Sequence, residues 1–299
     1  VIIDSLQGPF EVKGKARYKN LPLSMDLVLG TIRQGRKIPI KLDLGLIDDD
    51  VRIKFSGGLM LDENNPQATG KINLETDDMS DLILAMSLLD PKDTNQNNIA
   101  YNQPLSLESD MSYSNDNIAI SALEFELGES RGSGQLTAQL GDKIIFDGQL
   151  SINSFNLDNY LAPLKQKDTS ADNSNFNLEF LKNIEGKFNF KLGALRFNDK
   201  IASQFDLDLK VYDSSIELSK ARLNMPGGSE FSANGLIGQV GDTPEFNGNV
   251  IINSGNLRPF LNWLKIDTSS IPDGRLTRLS YKGGLKANPD LLQFYEIDG

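Results

Sequence analysis

Three times along this chain a strand with a central glycine runs through a tight turn into a short amphipathic helix. In the fullest copy Phe246, Gly248, Val250 and Ile252 alternate with Asn247, Asn249, Ile251 and Asn253. One face is therefore apolar, and three of the four positions between are asparagine, the two-residue period of a strand. Leu257, Phe260, Leu261 and Leu264 then fall at helical spacing, with Asn256 in the capping position and Pro259 in the first turn. Phe146–Asn153 leads in the same way into Leu157, Tyr160, Leu161 and Leu164, and Gly70–Glu75 leads into Met79, Leu82, Ile83 and Met86. Aligned on the central glycine, Met79, Leu157 and Leu257 coincide, then Leu82, Tyr160 and Phe260, then Ile83, Leu161 and Leu261. Such recurrence marks a repeat protein, whose units stack instead of each closing its own core. The spacing places repeats at about 51–90, 105–166 and 176–267, with partial ones at 1–50 and 268–299, in a single elongated body.

Between the helices the chain is strand after strand. Leu23, Met25, Leu27 and Leu29 form one alternating set, and Ile38, Ile40, Leu42, Leu44 and Leu46 the next; Arg33-Gln34-Gly35-Arg36 between them reads as a hairpin turn. Asp48-Asp49-Asp50 turns the chain into Val51, Ile53 and Phe55. Three places break the alternation by one residue. Ile118 and Ile120 are followed by Leu123, Phe125 and Leu127; Ile216 and Leu218 by Ala221, Leu223 and Met225; Leu292 and Phe294 by Ile297. A plain slip would turn every later apolar side chain outward, so each break predicts a β-bulge or a bend, and a sheet that curls. Gly132-Ser133-Gly134 and Gly227-Gly228 read as hairpin turns, because neither the lysine nor the helix of a phosphate loop follows. Pro91–Pro104 and Lys165–Asn175, both directly after a helix, read as polar loops.

Composition narrows the chemistry. With 41 acidic against 30 basic residues the net charge is −11, which argues against nucleic acid as a partner. The chain has no histidine and no cysteine, which removes histidine triads, thiol nucleophiles and histidine metal sites. Asp48–Asp50 and Asp77-Asp78 sit at a turn and before a helix, where they fit turn and capping roles better than a calcium loop. No carboxylate pair stands out from the acids scattered over the polar faces, so neither enzyme activity nor a cofactor is expected. The run Leu82–Leu89 is too short to span a bilayer. The chain opens mid-strand at Val1-Ile2-Ile3, from which we expect a segment of a longer protein whose membrane helix lies upstream.

About sixteen to twenty strands and three or four short helices are expected in all. Most strands have one apolar and one polar face, the antiparallel signature. So few helices cannot cover so much apolar sheet. Either the strands close into sandwiches, or the sheet curls into a trough whose lining meets another molecule, since wet apolar surface costs roughly 25 cal/mol per Å². The helix at Leu257–Leu264, with Trp263, is expected to plug one edge of the sheet or to cap the trough.

The order Ile216–Gly228, then Phe231-Ser232-Ala233-Asn234-Gly235, then Phe246 through Leu264 resembles the repeating block of bacterial AsmA-like proteins, and Leu292–Gly299 looks like the start of another block. The resemblance implies a mainly β fold, an elongated and curled antiparallel sheet forming a repeating groove, with short amphipathic helices between repeats. It implies a periplasmic body tethered to the inner membrane by a helix outside this segment, taking part in outer-membrane biogenesis and in phospholipid movement between the inner and outer membranes. Acyl chains would slide along an apolar floor, for which the candidates here are Ile72, Leu74, Leu136, Leu150, Ile152, Phe188, Phe190, Leu207, Leu209, Val250 and Ile252. Two other readings are a cell-surface adhesive or structural β-repeat with dry sandwich cores, and an outer-membrane barrel. One tryptophan and seven tyrosines are few for the aromatic girdles of a barrel.

Overall fold

Strands of alternating polarity joined by tight turns pair with their sequence neighbours, because a two-residue turn leaves no other partner within reach. The computed structural model describes residues 2–3, 7–18, 21–33, 35–62, 65–89, 102–165, 178–241, 243–272 and 274–298. These residues are mainly β, with seventeen strands, three short α-helices and one 3-10 helix. The expected loops at 91–104 and 165–175 lie almost wholly outside them. The chain divides into two units, 1–140 and 141–299, and the division falls inside the second expected repeat.

The first unit holds β1 (Ile2–Ile3), β2 (Phe10–Tyr18), β3 (Leu21–Leu29), β4 (Ile38–Leu46), β5 (Val51–Met60), β6 (Gln67–Thr76), α1 (Met79–Leu89), β7 (Leu105–Ser114), β8 (Asn117–Leu127) and β9 (Ser130–Gln139). Each strand pairs antiparallel with the next. The register carries the apolar rows across the sheet. Met25 faces Leu44, Leu44 faces Ile53, Ile53 faces Leu74, Leu74 faces Leu107, and Leu107 faces Phe125. The opposite face is ruled by cross-strand ion pairs such as Lys13–Asp26 at 2.9 Å, Arg52–Asp43 at 2.8 Å and Lys71–Glu108 at 3.3 Å.

The second unit holds β10 (Ile144–Asn156), α2 (Asp158–Lys165), a 3-10 helix (Leu178–Asn183), β11 (Ile184–Phe197), β12 (Lys200–Tyr212), β13 (Ser215–Met225), β14 (Ser229–Val240), β15 (Thr243–Ser254), α3 (Leu257–Trp263), β16 (Leu279–Asn288) and β17 (Leu291–Asp298). From β11 onward each strand pairs antiparallel with the next. β10 and β11 run parallel, a departure from the all-antiparallel expectation. The connection between them contains α2 and the 3-10 helix, long enough to return the chain to the end where β10 began.

All three expected bulges are present. Pairing jumps between Ile120 and Leu123 with Ala122 at φ +49°, between Leu218 and Ala221, and between Lys282 and Gly284 opposite the end of β17. A fourth, between Ser203 and Asp206 with Gln204 at φ +54°, has no counterpart among the expected ones. Gly35, Gly227 and Gly228 take the positive φ that their turns demand, and Ile47, Asp48 and Asp49 make the acidic turn in the same left-handed region. Gly132 and Gly134 do not form a turn. They lie within β9, facing Phe125 and Leu123, and the hairpin is made by Gly128-Glu129 instead. Their alternate spacing puts both on the apolar face, where they leave room for the larger side chains opposite.

The helices sit where the chain leaves a strand. Asp78 caps α1, its Oδ1 accepting the Ser80 amide at 2.8 Å. Asn256 occupies the corresponding position before α3 with extended φ and ψ, but its side chain makes no capping bond.

Candidate functional site

The apolar face of each sheet is the largest feature that the fold leaves unaccounted for. Burial is concentrated beside the helices, with a further cluster of Ala221, Ala233 and Val250 on β13, β14 and β15. In the first unit Leu21, Leu46 and Val51 are buried at the strand ends, packed with Ala85 and Leu82 of α1. In the second, Ala202 and Met225 pack with Trp263 of α3, joined by Leu195, Phe197 and Phe260. The Trp263 indole donates to the Phe197 carbonyl at 2.6 Å, and the Asn198 side chain donates to the Trp263 carbonyl at 2.9 Å. The helix that follows β15 thus reaches the end of β11, four strands away.

Away from these ends the strands carry apolar side chains that are only half-buried. Leu42, Leu44, Ile53, Phe55, Leu107, Met111, Ile120 and Phe125 lie on central strands of the first sheet in this condition. A central-strand leucine is half-buried when its own sheet and flanking neighbours shield its sides and nothing lies over its end. Among the described residues of each unit all strands belong to one ladder, and none forms a second sheet across this face.

The eleven floor candidates fall on these faces. Ile72 and Leu74 on β6 and Leu136 on β9 share the apolar face of the first unit, since Ile72 faces Phe55 and Leu136 faces Ile120. In the second unit Leu150 faces Phe190 and Phe190 faces Leu207, while Phe188 faces Leu209. Ile152 continues the same face on β10, and Val250 and Ile252 continue it on β15 through Ala233 and Phe231. Ten of the eleven are half-buried. Val250 is the exception, at 1% exposure. It sits beside the small Ala221 and Ala233, and Phe231, Phe246, Tyr281 and Leu285 pack around this cluster. Central-strand residues such as Leu42, Phe55 and Leu107 belong with the candidates and carry the same alternation signal.

Paired glycines shape this face, and the repeated phenylalanine two residues before a glycine is their signature. Gly235 and Gly248 stand opposite each other. A Cβ on Gly248 would lie 2.2 Å from the Asn234 carbonyl oxygen, and one on Gly235 would lie 2.5 Å from that of Asn247. The Phe246 ring lies over both positions, within 2.9 Å of either added carbon. Gly57 and Gly70 also stand opposite each other, with the Phe55 ring at the Gly70 position, and Gly186 takes the Phe146 ring. Glycine lets neighbouring backbones close up on the apolar side, and the ring restores the lost packing.

Chemistry is sparse. Among the described residues no group of three or more acidic side chains is placed to hold a metal ion, and no helix is long and apolar enough to cross a membrane. Compared with known proteins, the chain matches no family model, no curated protein and no solved structure.

Proposed function

We propose that the apolar face of each unit shelters lipid acyl chains, and that the chain serves phospholipid transport between the inner and outer membranes as part of an AsmA-like periplasmic protein. The observation that carries this reading is the half-burial of apolar side chains on central strands, in sheets whose other face is ruled by ion pairs. A hydrocarbon chain lying along such a face removes water from both partners and needs no directional contact. The reading asks for no catalytic group and no cofactor. Selectivity among acyl chains is low, since an apolar lining discriminates weakly between neighbours in a homologous series.

The resemblance supplies the envelope setting and the role in outer-membrane biogenesis; the open apolar face supports them by fitting the cargo. A cell-surface β-repeat with dry sandwich cores would bury the same side chains. The test is native mass spectrometry on protein released from bacterial membranes in mild detergent. Co-purified phospholipid, displaced when Leu209 and Phe190 are both replaced by aspartate, supports the proposal. A clean apo mass from wild-type protein refutes it.

A further inference from the structure

The polar face of the second unit carries a cleft that acyl-chain binding leaves unused. It encloses about 770 Å³ and is lined by Ser219, Lys220, Arg222, Asn234, Ile251 and Lys282 among others, with no aspartate or glutamate in the lining. In a chain with 41 acids and 30 bases, a three-cation cleft without a carboxylate runs against composition. The bulge in β13 builds it. Pairing with β14 jumps from Leu218 to Ala221, which leaves Ser219 and Lys220 without a partner on β14, while Lys220 still pairs with Asp208 on β12.

Arg222, Ser232, Ile251 and Lys282 form one cross-strand row from β13 to β16. Asp206 and Asp298 pair in register with the two outer ends of that row, and Asp206 is already engaged by Lys220. Among the described residues Arg222 and Lys282 take part in no ion pair. Ile251, 37% exposed, is the one apolar member of the asparagine series on this face of β15, and it gives the cleft an apolar floor between the two cations.

We propose that this cleft binds a phosphate-bearing anion of headgroup size. Arginine presents a planar fork that matches phosphate oxygens, and lysine adds a mobile point charge. Three strand spacings, about 14 Å, separate β13 from β16, so the two long side chains converge on a ligand larger than a single phosphate. The ligand is either the head of an anionic lipid or a free diphosphate, and the two differ in their use of Ile251.

The experiment titrates the whole 299-residue chain with inorganic pyrophosphate and with dihexanoyl phosphatidylglycerol below its micelle concentration, followed by calorimetry. The expected result is one saturable site per chain that weakens with added salt. Affinity falls about tenfold or more in the R222Q/K282Q double variant and holds in K13Q/K71Q, which removes as much charge from the first unit. Tighter binding of phosphatidylglycerol, lost in I251N, assigns a lipid head; equal or tighter binding of pyrophosphate assigns a free phosphate compound. Failure of both probes to saturate, or unchanged binding by R222Q/K282Q and by each single variant, overturns the proposal. The double variant still takes up a fluorescent fatty acid on the apolar face, so failure here leaves the acyl-chain reading standing.

Discussion

At the scale of single residues, the glycines with a ring over them set how closely neighbouring strands approach. Gly248 has the Asn234 oxygen 2.2 Å from where a Cβ would go, whereas Gly14, also in a strand, has nothing within 4 Å. Gly248→Ala should therefore lower stability by about 1–3 kcal/mol through overpacking. Gly14→Ala should raise it by about 0.5 kcal/mol through the lost freedom of the unfolded chain. Urea denaturation of the two variants checks both signs. The phenylalanine-x-glycine pattern was visible in the repeats, but its meaning was not, because the ring covers a glycine on the neighbouring strand.

Asp81, in the first turn of α1, makes a second residue-scale case. Burial, then the nearby Asp78 and Asp50 carboxylates, push its carboxyl above the usual range. Its folded form thus holds a proton that the unfolded chain releases at lower pH. Stability from this group is complete below the ordinary carboxylate pKa and is lost as pH rises through the raised one. Asp81→Asn should accordingly raise the melting temperature at neutral pH and leave it unchanged at about pH 3, where both states are protonated. A thermal melt series across pH reads the difference directly.

At the scale of elements, the three bulges show how much a period can say. A one-residue break in alternation permits only a slip or a bulge, and the slip is excluded because it would wet an entire apolar face. The fourth bulge, at Ser203 and Gln204, escaped because Ala202 is too small to mark the face before it. The parallel pairing of β10 with β11 escaped for another reason: alternation fixes which way side chains point, not which edge a returning strand will join. Capping was legible only in part. Asp78 caps α1, while Asn256 holds the capping backbone geometry without using its side chain.

The helices act as end plugs, and Trp263 shows what one plug contributes. Its ring is 6% exposed, makes an edge contact with Phe197 at 5.8 Å between centroids, and donates its N–H to the Phe197 carbonyl. Trp263→Ala should cost about 3–5 kcal/mol, more than the replacement of any half-buried floor residue, because it empties a closed pocket and orphans a carbonyl. Trp263→Phe keeps most of the volume and should lose about 1–2 kcal/mol, the share of the hydrogen bond. Chemical denaturation followed by circular dichroism separates the two, since the native tryptophan signal is absent from both variants.

At the scale of the whole molecule, alternation placed all eleven floor candidates on the apolar faces of the two units. It could not tell which of them a neighbour covers. Val250 is closed over because Ala221 and Ala233 are small enough for Phe231 and Tyr281 to lean across them, a consequence of three-dimensional packing that no period records. What the residues could and did state was a disproportion between apolar strand surface and helix, and the half-buried strand centres of both units are its structural form.

Leu209 and Lys210 are adjacent on β12 and point to opposite faces, Leu209 half-buried among apolar neighbours and Lys210 paired with Glu217 at 3.1 Å. Placing a photo-crosslinking benzoylphenylalanine at each position in living cells, and assaying for covalent phospholipid after irradiation, samples the two faces within one strand. Lipid adducts are expected at 209 and none at 210. Adducts at neither position, or equally at both, would contradict the acyl-chain reading.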